Sequence, residues 1–368
     1  MKNRLGIRLF LAGILAAVLA GCSGAEGKTN PSDSTIEEEN GEQVEMPKQH
    51  SAVDYTVVDG IPAEKGTYVA MVLKDLDNPY WKAVKEGAEQ AVEDINSSLG
   101  YTGEDQVRLT VDGVRAAEAL EGEDVDSQID TIDAVLSENP NALCLAVIDR
   151  ESCTAQLEAA AESDIPVILL DSGLKDQTAA QAEAVCMTDN KKAAAEAAQR
   201  LCREMGERGQ IAVFAHEESS GTSRERVDGF RMEVREKYPQ AEIVNVSYET
   251  EEGIPVKETL EQYPDLKGIF CTSGTVTREV LEQLEKAGRE DLLVAGFDAD
   301  AELIEAMREG RLWGTICQNP RGMGYAAVTA ALRASAGMPV DPSIDTGYVW
   351  LDQKNYREEK NQIYRYDC

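Results

Sequence analysis

Histidine is nearly absent from this 368-residue chain, which contains two, His50 and His216. His50 lies in a stretch with the composition of a linker, so a catalytic Ser-His-Asp or Cys-His arrangement would depend on His216. Such an arrangement needs partners that position the imidazole, and no motif in the sequence supplies them. We therefore do not expect His216 to be catalytic, and an enzyme is the least favoured class of function.

Metal-binding and redox cysteine motifs are also missing. No two of the eight cysteines form a CxxC pair, so neither a zinc site nor a thiol redox site is supported. The cysteines inside apolar, strand-like runs are interpreted as small buried hydrophobic residues: Cys144, Cys186, Cys271 and Cys317. Since a phosphate-binding loop is missing too, we expect no metal and no other cofactor.

Basic residues are scarce. The chain carries 36 lysines and arginines against 68 aspartates and glutamates, a formal net charge of −32. This balance excludes a general basic surface for nucleic acid. Such acidity favours solubility, and no nucleic-acid partner is expected.

An apolar run long enough to span a bilayer is lacking at the N-terminus. Residues 9–21 form an apolar run of 13 residues after the basic Lys2, Arg4 and Arg8, which is typical of an export signal. The run ends in Leu-Ala-Gly-Cys22, which resembles a bacterial lipobox. We predict a lipoprotein signal peptide over residues 1–22 and a lipid on Cys22. The alternatives are an ordinary secretory signal and an uncleaved anchor helix.

The segment after Cys22 shows no hydrophobic periodicity. Residues 23–65 are rich in Gly, Ser, Glu, Asn and Pro and include an acidic run at residues 37–39. This composition predicts a disordered acidic tether, which would hold the folded part away from the membrane.

From Thr67 onward, short apolar segments alternate with amphipathic helical patterns. Such alternation predicts an α/β fold with parallel, doubly wound sheets. The predicted strands are residues 67–73, 107–113, 142–149, 165–171, 184–188, 210–215, 242–247, 267–272, 291–297, 313–318 and 346–351. These are too many for one ordinary domain, so two similar lobes are expected.

The expected lobes share the chain between them. Residues 67–187 plus 319–345 are assigned to the N-terminal lobe, and residues 188–318 plus 346–368 to the C-terminal lobe. No linker rich in Gly and Pro separates them, so the chain is expected to cross in extended hinge strands near Thr188, Asn319 and Thr346.

The stretch from Gly66 to Ile95 organises the first lobe. It predicts a buried strand, a short loop and a helix that begins with Asn78 as N-cap and Pro79 at the first position. Tyr80 and Trp81 would then lie at the carboxyl edge of the sheet, where open α/β sheets bind ligands. The alternative is that both are ordinary core aromatics.

Polar residues also follow several other predicted strands, where they would meet at the same carboxyl edge. Each could equally be a helix cap or a turn residue. They are Asp171 and Ser172, Ser273, Asp298, and Gln318.

From about Thr67 to Leu351 the chain resembles the ribose-type sugar-binding periplasmic binding proteins, the type I solute receptors of ABC transporters. Five motifs carry the resemblance, in order: Asn-Pro-Tyr-Trp at residues 78–81, Ile-Pro-Val-Ile-Leu-Leu-Asp at 165–171, Gly-Thr-Ser-Arg-Glu-Arg-Val-Asp-Gly-Phe at 221–230, Val-Ala-Gly-Phe-Asp at 294–298 and Gly-Thr-Ile-Cys-Gln at 314–318.

The resemblance implies two lobes joined by hinge strands, with a sugar bound between them. It implies that the strand-end carboxylates and amides bond sugar hydroxyls, that the aromatics contact the ring, and that the first arginine of the third motif, Arg224, reaches the ligand. With the neighbouring polar residues, the expected ligand-binding set is Lys74, Asn78, Tyr80, Trp81, Asp171, Ser172, Arg224, Ser273, Asp298 and Gln318.

Three departures put ribose itself in doubt. Ser172 stands where relatives often have Arg, Ser273-Gly274 stands where they have Asn-Asp, and Lys74 replaces a small polar residue. Two carboxylates, Asp171 and Asp298, would face two cations. These cations are Lys74 and Arg224. Because the charges roughly cancel, an uncharged, polyhydroxylated ligand such as a monosaccharide is expected.

The resemblance further implies a monomeric receptor outside the cytoplasm that delivers its ligand to an ABC transporter permease. A sensor of the same fold, signalling to a membrane kinase or chemoreceptor, is the alternative.

Overall fold

The computed structural model describes residues 53–115, 124–175, 181–250 and 252–366. The predicted signal peptide, Cys22 and most of the predicted tether lie outside these ranges. Within them, no helix is both long and apolar enough to cross a membrane.

Strands and helices alternate along almost the whole described chain. In order they are β1 (Tyr68–Leu73), α1 (Pro79–Leu99), β2 (Arg108–Gly113), α2 (Asp124–Ser137), β3 (Ala142–Leu145), α3 (Thr154–Glu162), β4 (Val167–Leu170), β5 (Ala184–Met187), α4 (Asn190–Glu204), β6 (Arg208–Ala215), α5 (Gly221–Lys237), β7 (Gln240–Tyr248), α6 (Val256–Gln262), β8 (Leu266–Cys271), α7 (Gly274–Ala287), β9 (Leu293–Phe297), α8 (Ala301–Glu309), β10 (Gly314–Gln318), α9 (Pro320–Ser335), β11 (Ser343–Asp345) and β12 (Tyr348–Asp352). Short 3₁₀ helices span Gly103–Asp105 and Glu359–Tyr364.

The strands form two six-stranded sheets, one in each lobe. Their orders are β11-β5-β4-β3-β1-β2 and β12-β10-β9-β8-β6-β7. Every residue of β1, β3 and β4 is buried, as expected for parallel strands covered by helices on both faces. The predicted fold class, two doubly wound α/β lobes, is confirmed.

Two details of the sheets differ from the sequence-based expectation. β11 is only three residues long and was not predicted, because such a short segment has no readable period. β12 pairs antiparallel to β10, since the chain passes directly from β11 in one lobe to β12 in the other without a crossover helix.

The start of α1 is held firmly in the first lobe. Asn78 accepts a hydrogen bond from the backbone N–H of Tyr80 (2.9 Å) and caps the helix, and Pro79 follows it. α1 packs closely on α9: a Cβ at Gly87 or Gly324 would collide with the backbone of the other helix. These glycines fix the position of α1, and therefore of Tyr80 and Trp81 at its first turn.

The predicted tether is too long at its C-terminal end. Tyr55, Val58 and Ile61 are buried in the core of the first lobe, and the Tyr55 hydroxyl donates to Asp341 (3.0 Å). They recur at every third position of a segment made of turns and coil, and the polar composition around them concealed their burial.

The end of the chain also departs from its predicted lobe. β12 joins the second sheet and Tyr356 packs in the second-lobe core, but the end of the segment 353–366 reaches the first lobe, where Tyr366 is buried in the core. Arg321 on α9 donates to the backbone carbonyl of Arg365 (2.6 Å) and holds the segment there. This contact links distant parts of the chain, so no local sequence pattern predicts it.

Candidate ligand-binding site

Asp171 and Asp298 occupy equivalent positions in the two lobes. Each follows a central strand, β4 or β9, and each has left-handed backbone geometry, with φ of 65° and 75° respectively. Left-handed geometry is unfavourable for a residue with a Cβ and is concentrated at functional sites. It turns each carboxylate back over the carboxyl edge of its sheet.

The Asp298 carboxylate is held by the second lobe. One oxygen accepts from the Gln318 side-chain amide and the other from the backbone N–H of Gly274, both at 2.9 Å. Gln318 in turn accepts from the Thr188 hydroxyl (3.1 Å) at a hinge crossing. Burial raises the pKa of Asp298 above its usual value, and the guanidinium of Arg226 opposes that rise.

Asp171 forms an ion pair with Lys74. The ammonium lies 2.6 Å from the carboxylate and 3.5 Å from the Ser172 hydroxyl. Burial alone would raise the pKa of Asp171, but Lys74 and then Arg226 hold it below its usual value. The same ammonium lies 5.5 Å from the centre of the Trp81 ring, a cation–π distance.

Of the two arginines near the start of α5, Arg226 is the one whose charge acts on both strand-end carboxylates, whereas Arg224, the predicted ligand contact, is exposed. Arg226 is 3% exposed and donates to the Asn190 side chain (2.8 Å) and the Thr272 carbonyl (2.7 Å). Its guanidinium also stacks 3.8 Å from the centre of the Phe297 ring. Arg224 is exposed and bonds only to the backbone carbonyl of Ser219 among the described residues.

Helix geometry explains the difference between Arg224 and Arg226. Residues two positions apart on an α-helix are rotated by about 200°, so the two arginines point in nearly opposite directions. Thr222, Arg226 and Phe230 follow one another at intervals of four and are all buried. That buried stripe was the signal in the sequence that could have identified Arg226.

His216 also lies in the cleft, although it was considered only as a catalytic residue. Its Nδ1 lies 2.8 Å from the Thr272 hydroxyl, and its Nε2 lies close to the hydroxyls of Ser220 (3.2 Å) and Thr222 (3.1 Å). Burial, followed by the charges of Arg226 and Lys74, lowers the pKa of His216 to about 3. The imidazole is therefore neutral at physiological pH.

Tyr80 and Trp81 form an edge-to-face pair, with ring centres 5.0 Å apart. Both belong to the core of the first lobe, as the alternative interpretation held. Burial and then the charges of Asp171 and Asp298 raise the pKa of Tyr80 well above its usual value. Tyr80 therefore lies near both strand-end carboxylates, so core packing and a position at the cleft coincide.

Two predicted site residues serve as helix caps. Asn78 caps α1, and the Ser273 hydroxyl accepts from the backbone N–H of Val276 (3.3 Å) at the start of α7. Both side chains are only half-buried. The cap uses the amide oxygen of Asn78, and its NH₂ group is not part of the cap.

The charges of the cleft balance within the described residues. Asp75 and Asp77 do not neutralise Lys74: Asp75 accepts from the backbone N–H of Asp77 (2.9 Å), and Asp77 pairs with Arg115 (3.3 Å). Asp171 neutralises Lys74 instead. The two carboxylates therefore face Lys74 and Arg226, and His216 adds no charge.

Arg150 makes a contact between the two lobes. It belongs to the first lobe, where it donates to the carbonyls of Gly173 (2.9 Å) and Leu174 (2.8 Å). A Cβ at Gly221, the first residue of α5 in the second lobe, would lie 3.0 Å from its side chain. A larger residue at this position would require the Arg150 side chain to shift, so the lobes are in contact here.

Two parallel-sheet lobes with a polar, charge-balanced cleft at their carboxyl edges are typical of solute receptors. The chain belongs to the periplasmic binding protein domain family, whose model matches residues 69–338. The resemblance found in the sequence is thus confirmed.

Among curated proteins, the chain is 22% identical to the ribose import binding protein of Bacillus subtilis (strain 168), over 75% of this chain and 84% of that protein. It is 26% identical to the D-apiose import binding protein of Actinobacillus succinogenes, over 66% of this chain and 73% of that protein.

A similar solved structure is an ABC transporter solute binding protein from Agrobacterium vitis with bound D-fucose. Its TM-score is 0.71 at 24% identity, and the match covers 81% of this chain and 99% of that one. At that identity the likeness supports the fold.

Proposed function

We propose that this protein is an extracytoplasmic substrate-binding protein that captures a small, uncharged, polyhydroxylated ligand, a monosaccharide, between its lobes and delivers it to an ABC transporter permease. One observation carries the proposal: Asp171 and Asp298, at equivalent strand ends of the two lobes, both lie near Arg226 and Tyr80. Family membership and the sugar-binding relatives support it.

The chemistry of the cleft suits a sugar. Carboxylates accept hydrogen bonds from hydroxyls, while the ammonium of Lys74 and the NH₂ of Asn78 can donate to them. The indole of Trp81 offers an apolar surface to the C–H face of a sugar ring. Because the fixed charges cancel, the cleft has no surplus positive field for an anion.

No bond-breaking role is proposed for these residues. His216, the one described histidine, has a pKa near 3 and both ring nitrogens lie next to hydroxyls. It is suited to hold neighbouring side chains in place rather than to act as a general base near neutral pH.

Ligand identity is tested by calorimetry with a panel of sugars printed in the names of similar proteins, D-ribose, D-apiose, D-allose, D-arabinose and D-fucose, with gluconate as an anion. We expect saturable binding of at least one neutral sugar. Tight binding of the acid with no heat from any neutral sugar would overturn the proposal.

The binding site is tested with Asp298→Ala. This change should leave buried donors on Gln318 and Gly274 unpaired and weaken affinity by about 2–4 kcal/mol, roughly 30- to 900-fold. Asp265→Ala, exposed at the opposite edge of the same sheet, is the matched control and should bind like the wild type. Equal affinity of both variants would place the ligand elsewhere.

We also propose that Cys22 carries the lipid anchor that keeps the receptor at the membrane. The support is the Leu-Ala-Gly-Cys ending of a short apolar run. Cys22→Ala should release the protein from the detergent-extracted membrane fraction. Unchanged retention would contradict anchoring at this residue.

A further inference from the structure

The C-terminal segment makes a fourth crossing between the lobes, in addition to those at β5–α4, β10–α9 and β11–β12. After β12 in the second sheet, the chain runs through the 3₁₀ helix Glu359–Tyr364 and ends its described part at Tyr366 in the core of the first lobe. Tyr366 is 7% exposed.

On one side, Tyr366 is tied to the second lobe beside Asp298. Its backbone N–H donates to the carbonyl of Ala299 (3.3 Å), and its hydroxyl accepts from the backbone N–H of Ala299 (3.2 Å). Tyr366 therefore hydrogen-bonds both the N–H and the carbonyl of Ala299, the residue that follows Asp298.

On the other side, the Tyr366 ring supports the aromatics of the first lobe. It packs edge-to-face on Tyr80, with ring centres 6.0 Å apart and planes at 80°. Tyr80 packs in the same manner on Trp81, at 5.0 Å and 89°. Met323 completes the setting, since the Tyr80 hydroxyl lies 3.5 Å from its sulfur.

We propose that Tyr366 is a positioning residue for the ligand site: its hydroxyl sets the backbone beside Asp298, and its ring sets Tyr80 and, through it, Trp81. The inference rests on the proposed function of the cleft and deepens it, because it assigns to a residue outside the ligand contacts a role in shaping both halves of the site.

The two roles predict different behaviour of two variants. Tyr366→Phe keeps the ring and loses the hydroxyl bond to Ala299, and Tyr366→Ala loses both. Tyr356→Phe is the matched control: it removes a tyrosine hydroxyl of the same segment from a buried residue packed in the core of the second lobe.

The first measurement needs no ligand. The chain contains three tryptophans, so protein labelled with 5-fluorotryptophan gives three ¹⁹F resonances, and Trp81→Phe assigns one of them. We expect Tyr366→Ala to shift the Trp81 resonance alone, while Tyr366→Phe and Tyr356→Phe leave it in place. An unmoved Trp81 resonance in Tyr366→Ala, or equal shifts of all three, would overturn the proposal.

The second measurement is calorimetry with whichever sugar of the panel binds the wild type. Tyr366→Phe should weaken binding by about fivefold, as expected for one lost hydrogen bond, and Tyr366→Ala by about tenfold or more. Affinities within twofold of the wild type in both variants would overturn the proposal. If no sugar binds the wild type, the proposed function fails, and the ¹⁹F measurement still decides the role of Tyr366.

Discussion

Replacing Arg226 by Ala tests whether Arg226, rather than the predicted Arg224, serves the ligand site. The guanidinium is almost fully buried, donates two hydrogen bonds, to Asn190 and to the Thr272 carbonyl, and stacks on Phe297. Bonds to charged groups contribute about 1.5–3 kcal/mol each, and a buried cation–π contact about 2 kcal/mol. Allowing for non-additivity, we expect the free energy of unfolding to fall by about 3–5 kcal/mol.

Arg224→Ala is the matched control on the same helix. Arg224 is exposed and bonds to one backbone carbonyl, so its loss should change stability by less than about 0.5 kcal/mol. Urea denaturation followed by far-ultraviolet circular dichroism measures both variants, and calorimetry measures sugar binding. Arg226→Ala should abolish binding and Arg224→Ala should preserve it. The reverse ranking, or equal effects, would refute the assignment of Arg226 to the cleft.

Three further outcomes are expected. Gly221→Val should hold the cleft open, because its side chain would meet Arg150. Small-angle scattering with saturating sugar should then show a larger radius of gyration than the wild type, and adding Arg150→Ala should restore closure; a wild-type radius in the single variant would contradict the contact. The pKa of Asp298 is raised in the folded state, so its ionisation costs stability as pH rises from the unfolded pKa through the folded one. Relative to the wild type, the melting temperature of Asp298→Asn should accordingly improve over that window, and a constant difference would argue against a raised pKa. Burial raises the pKa of Cys153 to about 11 and of Cys202 to about 12, so these thiols should react with a thiol reagent only after denaturation; rapid labelling of either in the native protein would contradict their burial.

The architecture was predictable because it depends on local patterns. Apolar strands buried on both faces and helices with one apolar side repeat along the chain, and an example is β1, whose six residues are all buried. The polar residues after β4 and β9 were found in the same way, since the carboxyl ends of parallel strands share one edge.

The rest of the site depends on contacts that no local pattern encodes. Lys74 meets Asp171 across 97 positions of sequence, and Asn190 meets Arg226 across 36. Both pairs are set by how the elements pack. The role of His216 is not visible in the sequence for a different reason. A histidine in a sequence suggests acid–base catalysis, whereas in the structure His216 is neutral and its ring nitrogens lie beside hydroxyls.

The close contact between α1 and α9 couples the movement of the two helices in the first lobe. α9 begins directly at the hinge residue Asn319 and spans 16 residues, or about 24 Å. Because Gly87 and Gly324 let the backbones of α1 and α9 touch, we expect the two helices to rotate together as a rigid unit. A rotation of about 10° at the hinge then displaces the far end of α9, near Ser335, by about 4 Å over its helical length. A membrane partner in contact with that end would register an occupied cleft without touching the ligand.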